Sequence, residues 1–207
     1  MAHEDHLDAR LQDQRSGDGM TDPSPGCPGD GGEPTLYTIG HSTRPLAEFV
    51  DLLKENGVTR VVDIRTVPGS RHNPQYGKDA LLEALPTYSL AYEHCEGLGG
   101  LRKTHKDSPN MGWRNASFRG YADYMQTSEF ETALEGLIEQ ARRECVAIMC
   151  AEAVPWRCHR SLVGDAMLVR GFTVLDIMGP HSVRPHALTR FAVVDGTSIT
   201  YPPGPDA

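Results

Sequence analysis

The chain has 207 residues, enough to bury a hydrophobic core without disulfide staples, and suits one domain with a tail. Its formal net charge of −8 is concentrated in residues 1–33, which carry −6, whereas residues 60–119 carry +3. A near-neutral body with a weakly basic middle falls far short of the basic stripe of a dedicated nucleic-acid binder.

No run approaches the ~20 apolar residues of a membrane span. The first residues lack the basic-then-apolar pattern of a secretory signal, so a cytoplasmic protein is expected. Cysteines number five (Cys27, Cys95, Cys145, Cys150 and Cys158), an odd count that points to free thiols, a metal site or a reactive thiol rather than a disulfide framework.

Residues 1–33 are acidic, then rich in Gly and Pro, and read as a disordered arm. A single domain is expected over 34–195, with a frayed end at 196–207. Leu36–Gly40 is a short apolar run, a strand candidate. It is followed by a helix with Leu46, Phe49, Val50 and Leu53 on one face and Gly57 as its stop. Arg60–Ile64 is the second strand, Asp79–Leu85 a short helix closed before Pro86, and Ser89–Cys95 the third strand.

A long Gly-rich loop then runs from Glu96 to about Ser117, of a length more often functional than incidental. Ser128 and Glu131 form a capping-box pattern ahead of Phe130, Leu134, Leu137 and Ile138. Cys145–Cys150 is a fourth strand, a helix begins near Pro155 and ends at Gly171, and Phe172–Met178 is the fifth strand. Strands alternating with helices predict an α/β protein, a three-layer α/β/α sandwich with a mostly parallel sheet of about five strands.

In an open parallel sheet, ligands bind beyond the carboxyl ends of the strands. Each of the five predicted strands delivers polar residues at or beyond its carboxyl end: His41 and Ser42; Asp63, Arg65, Ser70 and Arg71; Cys95, Glu96 and Arg102; Cys150 and Glu152; Asp176 and His181. The fourth strand feeds a helix that opens with Cys158, His159 and Arg160, where amide N–H groups favour anions and lower a thiol's pKa. Adjacent helical residues differ by roughly 100°, so these three cannot all face one site.

Thr38-Ile39-Gly40-His41-Ser42, Val62-Asp63-Ile64-Arg65, Ser70-Arg71, Leu98-Gly99-Gly100-Leu101-Arg102, Tyr121-Ala122 and Cys150-Ala151-Glu152 through Cys158-His159-Arg160 occur in this order. Together they resemble the bacterial and archaeal family known as domain of unknown function 488, over residues ~35–180. The resemblance implies an α/β fold and a shared site, and no settled reaction.

Three chemistries compete at this site. In the first, Cys150 or Cys158 is a nucleophile or redox thiol, with His41 or His159 as base and arginines holding an anionic substrate. A phosphatase or rhodanese loop is excluded, because six residues, not five, separate Cys150 from Arg157. In the second, Cys150, Cys158 and a histidine (His41, His159 or His181) bind zinc or iron. In the third, Arg65, Arg71, Arg102 and Arg160 bind a nucleotide or nucleic acid, with Tyr92, Trp113 or Tyr121 stacking on bases.

No dinucleotide fingerprint and no Walker loop is present. The leading expectation is an enzyme acting on an anionic, nucleotide-like substrate. Glu152 is its acid/base, with Cys150, Cys158 and His41 catalytic, and Arg65, Arg71, Arg102, Arg160 and Ser42 binding the substrate. Cys150, Cys158 and His159 are the candidate metal ligands. The rival is a non-catalytic nucleic-acid or metabolite-binding module that uses the same rim.

Overall fold

Alternation along each strand sends successive side chains to opposite faces, and in the computed structural model both faces are covered. The structure describes Cys27 and residues 33–69 and 71–204; apart from Cys27 and Glu33, the acidic arm lies outside the described residues, as does Ser70. Five strands run parallel in the order β3-β2-β4-β1-β5: β1 (Thr35–Gly40), β2 (Arg60–Asp63), β3 (Ala91–His94), β4 (Val146–Cys150) and β5 (Thr173–Gly179). A sixth, β6 (Ser182–Pro185), adds antiparallel to β5 at the edge.

Tyr37, Ile39, Ala147 and Met149 point to one face, where α1 (Leu46–Glu55) and α2 (Lys78–Thr87) cover them with Phe49, Leu53, Leu81 and Leu85. Leu36, Val146 and Ile148 point to the other. There α3 (Ala116–Tyr124), α4 (Ser128–Ala141) and α5 (Arg160–Leu168) supply Tyr121, Phe130, Leu134, Leu162 and Met167. The expected three-layer α/β/α sandwich is present. Among the described residues no helix is long and apolar enough to cross a membrane.

Several local expectations are corrected. The second helix runs through Pro86 to Thr87, because a proline in the last turn forfeits only one ladder bond there. Thr127, not Ser128, caps α4, its hydroxyl accepting from the Phe130 amide at 3.3 Å. The helix expected from Pro155 instead opens as a 3-10 turn, Pro155–Arg157, followed by an extended Cys158 (φ −135°, ψ 143°), and α5 starts only at Arg160.

Beyond β6 the described residues, to 204, pack back on the domain. β7 (Val193–Asp195) and β8 (Ser198–Thr200) form a hairpin, and the fully buried Tyr201 donates its hydroxyl to Asp165 at 2.9 Å. Cys27 is disulfide-bonded to Cys145, which leaves Cys95, Cys150 and Cys158 as thiols.

Candidate functional site

Strand β4 lies between β1 and β2, and the connections leaving β1 and β4 depart to opposite faces, α1 to one and α5 to the other. Such a divergence opens a crevice at the carboxyl ends of the strands. The parallel ladder carries on past the strands: the His41 and Ser42 amides donate to the Cys150 and Ala151 carbonyls at 2.9 Å, and the Ile64 amide to Met149 at 3.0 Å. The first residues of all three loops are thereby fixed around one cavity of about 640 Å³, a size suited to a small-molecule ligand.

Cys150, Cys158 and His159 form the cavity's inner end. Their ligand-capable atoms lie within 4.8 Å of one another, and Cys158 Sγ is 3.8 Å from His159 Nδ1. Both thiols are buried, with Cys150 7 % and Cys158 3 % exposed. The pairing of the two thiols, with Arg160 nearby, pulls Cys150 below the ordinary thiol range against its burial, and the same pairing together with burial pushes Cys158 up. The Arg160 amide also reaches Cys158 Sγ at 3.4 Å.

His159 is oriented from two sides. Its Nε2 lies 2.9 Å from the Ile64 carbonyl, an acceptor only, so Nε2 carries the proton and Nδ1 turns its lone pair to the thiols. On the other side, a Cβ at Gly100 would lie 2.9 Å from Nδ1. Gly100 in the long loop therefore serves close approach of backbone to the imidazole, with the Thr66 hydroxyl donating to the Gly100 carbonyl at 2.7 Å.

His41 and Arg65 form one wall and are occupied with each other. Arg65 is clamped by Asp63 through Nε to Oδ1 at 2.8 Å and Nη2 to Oδ2 at 2.5 Å, and it also donates to the Tyr76 carbonyl. Its Nη1 donates to His41 Nε2 at 3.1 Å, so His41 carries its proton on Nδ1, which donates to the Ser42 carbonyl. Burial, seconded by Arg65, lowers the His41 pKa, and its ring stacks on Tyr76 at 4.1 Å. Both ring nitrogens are thus engaged, contrary to a role for His41 as metal ligand or ready base.

The arginines sort differently from expectation. Arg160 is 1 % exposed and turns beneath the loop after β4, donating to the carbonyls of Glu152 and Ala153 at 2.5 and 3.0 Å. It braces the loop instead of clamping a substrate. Arg102 lies over the Tyr124 ring at 3.7 Å and bonds the Gly99 and Glu96 carbonyls, outside the cavity lining. Arg71 is exposed on the loop between Gly69 and Asn73, both of which line the cavity.

Glu152, the expected acid/base, is exposed on the cavity wall, and among the described residues its carboxylate has no partner. Of the stacking candidates, Tyr92 bonds Asp63, Trp113 packs with Phe118 and Phe191, and only the buried Tyr121 reaches the lining.

The outer strands contribute less than the rim idea expected. β3 is an edge strand and its follower Cys95 does not line the cavity. Beyond β1 on the other side, the Asp176 carboxylate of β5 is held by Thr38 and His186. His181 is exposed and paired with Glu55.

Sequence reasoning missed Thr66, Val67, Asn73, Leu101 and Phe118 as lining residues, and gave Arg157 no substrate role. Val67 (70 %) and Leu101 (82 %) are exposed apolar residues at the mouth, and Leu101 holds φ at +58°. No spacing rule marks such residues; loop conformation alone brings them here.

A family model described as domain of unknown function DUF488 matches residues 45–167, from the start of α1 into the last turn of α5. The match includes Cys150, Glu152, Cys158 and His159 and leaves His41 and Ser42 outside it. No curated protein and no solved structure matches the chain.

Proposed function

The chain belongs to the family described as domain of unknown function DUF488, and from that premise we propose that it is an enzyme acting on a small anionic molecule, nucleotide-like in size, in the cavity at the ends of β1, β2 and β4. One observation carries this reading: two buried thiols, an oriented imidazole and an unpaired carboxylate, from the end of β4 and the approach to α5, line one cavity of about 640 Å³. A structural cluster has no need of an access route; this one lies at the inner end of an open cavity.

Glu152 is the proton-transfer group, because its carboxylate lies on the cavity wall with no partner among the described residues to hold it elsewhere. Cys150, Cys158 and His159 form the reacting centre. Arg157, which lines the cavity and whose guanidinium has no partner among the described residues, takes the substrate's negative charge, with Arg71 on the adjoining loop. Ser42 presents its hydroxyl from a left-handed turn (φ +49°) on the same wall. The nucleic-acid reading loses its footing, since Arg65, Arg102 and Arg160 are all spent on internal partners.

Turnover of a panel of phosphomonoesters, phosphodiesters and nucleotides tests the reading, with binding followed by calorimetry. Glu152→Gln is expected to keep affinity within a few-fold and to lose roughly 10²–10⁴ of kcat. Arg157→Ala is expected to weaken substrate binding. A ligand that binds at the cavity and is never turned over, or a Glu152→Gln variant with full activity, refutes the proposal.

A further inference from the structure

We propose that Cys150 Sγ, Cys158 Sγ and His159 Nδ1 together hold one zinc or ferrous ion, with its remaining coordination open to the cavity. The inference deepens the reading of the cavity as an active site and rests on it only for what the ion does there.

Zinc–sulfur bonds of about 2.3 Å and zinc–nitrogen bonds of about 2.0–2.1 Å in a tetrahedron place sulfur and nitrogen ligands about 3.6 Å apart and two sulfurs about 3.8 Å apart. Cys158 Sγ and His159 Nδ1 are 3.8 Å apart, and no pair among the three atoms exceeds 4.8 Å. An ion therefore fits between them with side-chain adjustments of an ångström or less.

A ligating imidazole commonly donates its other N–H to a carbonyl or carboxylate, which fixes the ring and frees one lone pair. His159 donates Nε2–H to Ile64 and aims Nδ1 at the sulfurs. The ring does not have to turn for a metal to bind.

The Arg160 amide donates toward Cys158 Sγ at 3.4 Å, as amides do to metal-bound thiolates. Three protein ligands with cavity on the remaining side match reactive rather than structural sites, which close with four. Cys-x7-Cys-His is no zinc-knuckle spacing because the ligands come from a strand end and a helix entry, which the 3-10 turn at Pro155 and the late start of α5 bring together. At the open position the ion acts as a Lewis acid toward a water or a substrate oxygen, with Glu152 on the wall beside it to receive the proton.

The test uses the full chain, purified without chelator. Elemental analysis and competition with a chromophoric chelator measure Zn²⁺, and Co²⁺ loading reports sulfur ligation through thiolate charge-transfer absorption. About one ion per chain is expected, with both the ion and the charge-transfer band lost in Cys150→Ser and Cys158→Ser and the affinity at least tenfold weaker in His159→Gln. Cys95→Ser, which alters a thiol outside the cavity, is expected to keep both, and circular dichroism confirms that each variant is folded. Wild type that binds neither Zn²⁺ nor Co²⁺, or binding that survives the double Cys150→Ser, Cys158→Ser change, overturns the proposal. Failure here is distinguishable from failure of the enzyme reading: a metal-free protein whose turnover still falls in Glu152→Gln removes the ion and leaves the active site.

Discussion

His186 offers the sharpest quantitative test of how this fold is held together. Its ring lies between two buried carboxylates, Asp165 at 3.1 Å and Asp176 at 3.2 Å, and its side chain is only 7 % exposed. Burial alone lowers its pKa, but the hydrogen bonds to Asp165 and Asp176 outweigh that and raise it from 6.5 to about 9. A group whose folded pKa is raised stabilises fully below its unfolded pKa and loses that contribution as pH rises through the folded value. The shift corresponds to roughly 3 kcal/mol at about 1.4 kcal/mol per unit, present near pH 6 and gone by about pH 10.

Urea unfolding of wild type and His186→Gln across pH 6–10 isolates this term. The wild type is expected to lose up to about 1.4 kcal/mol per pH unit between pH 7 and 9, relative to the variant. Thr189 and Tyr201 also bond Asp165, so the same network fastens the C-terminal strap over α5, the helix that His159 enters. Parallel pH profiles for the two proteins, or an imidazole signal titrating near 6.5, would refute the reasoning.

Other expectations concern the loop after β4. A Cβ at Gly40 would lie 1.7 Å from the Glu152 carbonyl oxygen and 2.9 Å from Arg160 Nη1, so Gly40→Ala should displace the loop and cost about 2–3 kcal/mol, read as a fall in Tm of roughly 5–10 °C. Arg160→Met strands the Glu152 and Ala153 carbonyls it serves; a loss of roughly 2–4 kcal/mol is expected, with faster amide exchange confined to residues 151–154 if the loop alone depends on it. Alkylation in denaturant without reductant should label three cysteines, Cys95, Cys150 and Cys158, and five after reduction; five at the outset would contradict the Cys27–Cys145 bond.

The layer architecture was legible because it is written in local periodicity. Apolar runs such as Val146–Cys150, and the helical faces of α1 and α4, specify strands and helices that can be covered only one way. The position of the site was also legible. A parallel sheet presents its strand ends together, and Cys150, Glu152, Cys158 and His159 stand at one such end and the helix entry beyond it. What periodicity does not encode is which strands become neighbours. The order β3-β2-β4-β1-β5 allots the cavity to three central strands and turns Cys95 and Asp176 to other uses.

Side-chain direction was decided later still. The 3-10 turn at Pro155 and the extended Cys158 postpone α5 by several residues, so Cys158 and His159 face the cavity, Arg157 lines it, and Arg160 is drawn beneath the loop. Residue order put four arginines near one predicted rim, but a guanidinium's role depends on which acceptors lie within reach. Asp63 stands two residues from Arg65 in the chain, whereas His41 and the carbonyls of residues 96, 99, 152 and 153 are brought to the guanidiniums by folding, and together they claim Arg65, Arg102 and Arg160 before any ligand arrives. Charge is a property of the sequence, whereas its availability is set by burial and hydrogen-bond geometry, which only tertiary structure supplies.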